Sequence, residues 1–326
     1  MENVVRTKKP RIRRRRYLED EAHHVYQRAM HRFNIFYDIE DYLVYYTIFA
    51  VAARQYGVTV LGLCLMIDHI HMLLKTETKA TLSEFVRQVT SMFAREQNED
   101  IGRSGSLFQA RFGSAPKKGL KLLRTAIAYL YNNPVERGLC RSVEEYRWNF
   151  LPYATSSHPF SKPIVISHAS RALKRAVKEV DRAKSQDRHL RYAQLSRLMK
   201  KLDMSEKEQL TDHIVSVYNP IAYNAVISCY GNLSTMLTAV NSNTGSEFDI
   251  KEDRYRFSDM EYQHMMGVIN EYTDIRPVRK VVILDVDEKL RLFQLLQRKV
   301  SGTNLQIAKF LRLELSESGV FGSMVM

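Results

Sequence analysis

His69-Ile70-His71 interrupts an apolar run, with Val60-Leu61-Gly62-Leu63-Cys64-Leu65-Met66 before it and Met72-Leu73-Leu74 after it. Apolar stretches of that length read as buried strands. Residues two apart on a strand share a face, so the two imidazoles can converge on one divalent cation. Alone, such a pair is more often a pair of hydrogen-bonded histidines in a half-buried sheet. What shifts the balance lies sixty residues downstream.

There, Ala128-Tyr129-Leu130-Tyr131-Asn132-Asn133-Pro134-Val135 ends a helical stretch that starts near Lys118, with apolar Leu122, Leu123, Ala126, Ile127 and Leu130. Tyr129 and Asn133 stand at i and i+4, so one helical face presents a phenol beside an amide oxygen. A cation held by His69, His71 and the Asn133 carbonyl would lie next to that phenol and could polarise a phosphate oxygen while the tyrosine attacks phosphorus. In a chain with 18 tyrosines, Tyr129 without the histidines would read as a packed aromatic. Tyr131 is about 200° further round the helix and cannot face the same ion. It reads as a packing residue or a DNA contact. Asn132 stays open as a rival to Asn133, because the residue before a proline is biased away from helical dihedrals.

The coarse pattern is strand (His24–Arg28), helix (Ile39–Gln55), two paired strands (Val58–Cys64 and His69–Lys75), helix (Leu82–Glu99, started by Thr81 or Ser83), strand (Gly105–Phe112), then the tyrosine helix Lys118–Asn133. That order predicts an α+β fold of the ferredoxin-like type, with helices packed on an antiparallel sheet. Alternation along the predicted fourth strand sends Phe108 and Phe112 to the core and Gln109 and Arg111 to the polar face. Trp148 is expected to pack the end of this domain.

Six ordered blocks resemble a known family: Tyr37-Asp38-Ile39-Glu40-Asp41-Tyr42, Tyr56-Gly57-Val58, Cys64 to Leu74 around the histidines, Gly105-Ser106-Leu107-Phe108-Gln109-Ala110-Arg111-Phe112, Tyr129 to Leu139, and Glu145-Tyr146-Arg147-Trp148. Their order is similar to that of the single-tyrosine HUH transposases, in the branch of the REP-associated tyrosine transposases, from about Tyr17 to Tyr153. The resemblance implies a DNA transposase that cleaves and rejoins single-stranded DNA at hairpins formed by inverted repeats, through a covalent 5′-phosphotyrosine and with Mg²⁺ or Mn²⁺. It maps His69, His71 and Asn133 onto the metal ligands and Tyr129 onto the nucleophile. The family includes monomers and dimers, which leaves a homodimer open. The chain departs from the pattern at Ile67-Asp68, where Pro-Asn is usual, and at Glu136-Arg137, where Arg-Ala is usual. By strand alternation Asp68 is expected to face away from His69. These departures leave room for two alternatives, a domesticated hairpin-binding protein that does not cut and a transcriptional regulator.

Charge agrees with a nucleic-acid partner. Lys and Arg number 49 against 36 Asp and Glu, a net +13, which suits phosphate binding. A basic arm over residues 1–16 holds Arg13, Arg14, Arg15 and Arg16, and a second basic group, Arg103, Arg111, Lys117, Lys118, Lys121 and Arg124, leads to Tyr129. Apart from Arg124, these residues and Gln109 are the expected DNA contacts. No Walker-type glycine loop occurs, and the transfer chemistry needs no ATP. Three widely spaced cysteines, Cys64, Cys140 and Cys229, predict reduced thiols. With no long apolar span, the chain is expected to be cytoplasmic and free of membrane.

The predicted organisation is the arm 1–16, the HUH domain 17–155, a helical region 164–245 and a helical C-terminal region 246–326. A Ser/Pro-rich stretch, Ser156 to Pro163, marks the first boundary and Asn241 to Ser246 the second. Ser170 to Met204 is basic and helix-prone. Thr303-Asn304-Leu305-Gln306-Ile307-Ala308-Lys309-Phe310-Leu311 resembles the first helix of a helix-turn-helix.

Overall fold

The protein is seen in a computed structural model that describes residues 16–109, 111–242, 258–315 and 321–322. Its first part runs β1 (Ala22–Arg28), α1 (Ile39–Gln55), β2 (Thr59–Leu65), β3 (His69–Lys75), α2 (Lys79–Ile101), β4 (Gly113–Lys117) and α3 (Gly119–Glu136). The four strands form one antiparallel sheet in the order β2-β3-β1-β4. This βαββαβ order with its split pairing is the ferredoxin-like arrangement predicted above.

Local chemistry sets the element ends. The Asp41 carboxylate accepts from the backbone N–H groups of Tyr37 and Asp38 at 2.8 and 2.9 Å, closing the first turn of α1. Thr78 caps α2 through its hydroxyl, which accepts from Thr81 N at 3.0 Å, and Gly102 ends it in the left-handed region at φ +69°. Helix α3 runs past the predicted end at Asn133. Pro134 sits in its last turn, and the helix closes at Gly138 (φ +66°), where Leu139 N donates to Pro134 O. A proline that near the C-terminus removes one bond and does not break the helix.

The fourth strand is displaced from its predicted place. Residues 105–109 are irregular, touching the sheet through a single bridge between Ala29 and Phe108, and the strand follows at Gly113–Lys117. Leu107 and Phe108 are both buried, and Gln109 after them is exposed. Gly113-Ser114-Ala115-Pro116-Lys117 carries no β signal, but an edge strand tolerates Pro116. Tyr26 also fills the space at residue 113, since a Cβ there would lie 2.0 Å from its ring, so glycine is required.

The sheet is covered on both faces. On the face of Met72, α1 and α2 pack with an aromatic core of Phe36, Tyr45, Phe49, Phe85 and Phe93, and Tyr45 OH reaches Met72 Sδ at 4.0 Å. On the opposite face lies α3. Gly62 allows its close approach, because a Cβ there would meet the Leu130 methyls at 3.2 to 3.3 Å. Trp148 stacks on Tyr42 at 4.3 Å between ring centroids.

The later helices are α4 (Arg171–Ser185), α5 (Tyr192–Met199), α6 (Met204–Tyr218), α7 (Tyr223–Ser228), α8 (Leu233–Asn241), α9 (Met260–Tyr272), α10 (Val286–Lys299) and α11 (Asn304–Leu311). The basic stretch from Ser170 is thus two helices, parted at residues 186–191. Several of these helices fold back on the sheet domain. Tyr46 OH donates to Val215 O of α6 at 2.9 Å, Tyr192 OH of α5 donates to Asp41 Oδ1 at 2.7 Å, and Ala222 N donates to Val60 O at 2.9 Å, covering the free edge of β2. Helix α11 is held by Tyr37 OH, which donates to Phe310 O at 2.8 Å. After it the described residues hold only the two-residue strands β5 (Glu314–Leu315) and β6 (Phe321–Gly322). No described helix is long and apolar enough to cross a membrane.

Candidate active site

Pairing puts His71 of β3 opposite Tyr26 of β1 and Cys64 of β2, and His69 opposite Arg28, so both imidazoles stand on the face that α3 covers. The rings of His69 and His71 are 4.8 Å apart and perpendicular. From α3, the Tyr129 ring meets His71 at 5.5 Å, again perpendicular. All three side chains are buried, as is Asn133 one turn further along α3.

Each histidine is oriented through its Nδ1. Asp68 Oδ1 lies 2.5 Å from His69 Nδ1. This overturns the expected outward direction of Asp68: the residue belongs to the turn between β2 and β3, where strand alternation does not apply, and its carboxylate returns to the next residue. His71 Nδ1 lies 3.0 Å from His24 Nε2. With Nδ1 engaged, Nε2 is the nitrogen left to project from each ring, the arrangement by which outer partners fix metal-ligating histidines. His69 Nε2 and Asn133 Oδ1 are buried and make no hydrogen bond. Buried polar atoms are ordinarily satisfied, so this pair suits a ligand. Among the described residues no three His, Cys, Asp or Glu side chains form a metal cluster. The candidate set therefore consists of two imidazoles and an amide, which leaves coordination positions for substrate and water.

Three further residues stand beside the site. His24 shares its strand face with Tyr26 and Arg28, and its ring lies 5.7 Å from that of Tyr129. Alternation along β1 contained the signal, but nothing in the sequence says that β1 pairs with β3. Asp68, in the turn before β3, is the second. Asp259, at the start of α9, is buried, and burial together with the nearby Asp68 pushes its carboxyl up to about 6. Its backbone N–H donates to Arg137 O at 2.9 Å. No local pattern marks it.

Tyr131 behaves as a packing residue. Its hydroxyl points to Leu61 O at 3.4 Å over β2, and burial pushes its phenol well above the ordinary range. The expected DNA contacts divide. Arg16, Gln109, Arg111, Lys118 and Lys121 are exposed, while Arg13, Arg14 and Arg15 lie outside the described residues. Lys117 is not a surface cation: it is 1% exposed and, opposite Ala22, lies on the sheet face of His24. Arg103 is half-buried, bonded to Asn98 Oδ1 at 2.9 Å and to Ser106 O at 3.3 Å.

Residues 18–133 match the family described as "Transposase IS200 like". A solved structure of a REP-associated tyrosine transposase bound to a REP hairpin is similar at 18% identity and a TM-score of 0.37, over 43% of this chain and 81% of that one. No curated protein matches. Residues 18–133, which carry His69, His71 and Tyr129, are thus similar to the IS200-like transposase family.

Proposed function

We propose that the protein is a metal-dependent transposase that cleaves and rejoins single-stranded DNA, with hairpins of inverted repeats as its substrates, and that Tyr129 is the nucleophile. The observation that carries this reading is the meeting of the Tyr129 ring with His71, 5.5 Å away, from an element sixty residues distant in sequence. The family match over residues 18–133 supports it.

His69 Nε2, His71 Nε2 and Asn133 Oδ1 would hold Mg²⁺ or Mn²⁺, which when bound polarises a phosphate oxygen. The Tyr129 oxygen attacks phosphorus, the bond to the 3′ oxygen breaks, and the 5′ phosphate stays on the tyrosine. The phenolic proton leaves to water and the 3′ oxygen takes one up, so the phosphodiester energy is conserved for rejoining. Asp68 and His24 keep the two imidazoles presenting Nε2. Tyr129 itself is 2% exposed.

The test is incubation of the full chain with labelled single-stranded DNA from the flanks of its own gene and Mn²⁺. The expected product is a denaturant-resistant protein–DNA adduct, absent with duplex DNA and with Tyr129→Phe. If no flanking strand yields an adduct while hairpins still bind, the protein is a binder that does not cut.

A further inference from the structure

A second pocket lies where the C-terminal residues close onto the sheet domain, and its lining is cationic. Arg103 follows α2, Lys289 comes from α10 and Arg312 follows α11; together with Met30, His31 and Phe33 they line a cavity of ≈ 140 Å³. Lys289 and Arg312 are each 8% exposed. Among the described residues no carboxylate pairs with any of the three cations. The Nε of Arg312 is buried without an acceptor, although its terminal nitrogen donates to Asn34 O at 2.9 Å. Exposed His31, Gly105 and Ser106 lie at the mouth of the cavity.

Burying one unpaired ammonium costs several kcal/mol, and two guanidinium neighbours increase that cost. Burial, then Arg312 and Arg103, push the Lys289 ammonium down to about 8. Such a cluster lining a cavity marks a candidate functional site. The donors suit an oxyanion, with the Lys289 ammonium beside two guanidinium groups that Asn98, Ser106 and Asn34 hold in place. The cavity has room for a tetrahedral group. Its position also fits: Ala29 N donates to Asp68 O at 3.0 Å, and the chain continues directly into Met30, His31 and Phe33. The pocket therefore lies at the His69 end of the sheet.

We propose that Arg103, Lys289 and Arg312 form a phosphate-binding pocket, separate from the Tyr129 site. The phosphate can come from the backbone of a bound DNA strand or from a free phosphate. Only the first source rests on the strand-transfer reading, and the test separates the two.

Full-length wild type, Lys289→Met and the charge-preserving Lys289→Arg are titrated with inorganic phosphate and with a short single-stranded oligonucleotide, following melting temperature and binding heat. Because Lys289 has no partner to lose among the described residues, Lys289→Met should fold as well as wild type. Inorganic phosphate is expected to raise the melting temperature of wild type and Lys289→Arg and not of Lys289→Met, with binding to Lys289→Met weakened roughly tenfold or more, the loss of one charge-assisted hydrogen bond. An equal loss in oligonucleotide affinity makes the phosphate that of DNA, whereas unchanged oligonucleotide affinity makes it a free one. If neither phosphate nor oligonucleotide distinguishes Lys289→Met from wild type, the pocket is not an anion site. The Tyr129 adduct assay, run on the same proteins, reports on the strand-transfer reading independently.

Discussion

Two ion clusters hold positions at the same seam and are built in opposite ways. Arg279, 2% exposed, faces Asp38, Asp41 and Asp100 at 3.3, 3.8 and 2.8 Å and lies 4.3 Å from the Tyr192 ring centroid. Asp38 also accepts from the backbone of Val278 and Arg279 at 3.0 and 2.9 Å. One guanidinium there serves three carboxylates, of which Asp38 is pushed up to about 7 by burial and by Asp41, and the cluster fastens the turn at residues 278–283 to the start of α1. The pocket of Arg103, Lys289 and Arg312 brings three cations together with no carboxylate partner among the described residues. Cations set against carboxylates form a structural joint, whereas the cationic pocket is the anion site proposed above.

The contrast can be broken by mutation, beginning at the joint. Arg279→Met leaves the buried Asp41 and the half-buried Asp38 and Asp100 without their shared cation and is expected to cost about 3–5 kcal/mol of stability, read as a lower urea midpoint. A loss near zero would mean that the carboxylates are neutral in the fold and that Arg279 joins nothing.

Lys289→Met should act in the opposite sense. Its folded pKa, about 8, lies below the usual lysine value of 10.5, so the charged form is disfavoured in the fold. The penalty is complete below pH 8 and is relieved as pH rises to 10.5. In phosphate-free buffer at neutral pH the variant is therefore expected to be more stable than wild type, by up to about 3 kcal/mol. Wild type should regain ground on it between pH 8 and 10.5. Melting curves across that window check this, and a gap that ignores pH would reveal a counter-charge in the folded protein.

Tyr37→Phe sharpens the comparison with a smaller effect. It removes the bond to Phe310 O that holds α11 and hence Arg312, and about 1 kcal/mol is expected to be lost. Phosphate affinity should fall with it, read by titration of the variant with inorganic phosphate, and an unchanged affinity would mean that Tyr37 does not position Arg312.

Much of the sheet domain was legible. Ile39–Gln55 and His69–Lys75 were located to the residue, because the first begins at an acidic cap and the second is an apolar run marked by its histidines. The fourth strand was not, since Gly113–Lys117 is a strand through its pairing with β1 and not through its own residues. At the site, period-two and i+4 spacing brought His69, His71, Tyr129 and Asn133 to notice. Asp68 was misjudged by one residue of strand, and His24 was invisible until β1 was paired.

By itself the sequence determined which side chains share a face of one strand or one helix, because local periodicity follows from backbone geometry alone. It also carried the motif blocks whose family is matched over residues 18–133. Only the tertiary structure decided which faces meet. The partners that orient the histidines, the approach of Asp259 and the gathering of Arg103, Lys289 and Arg312 all join residues far apart in the chain. Such pairings are selected by packing and by the cost of burying charge in the whole molecule, which no local window of sequence contains.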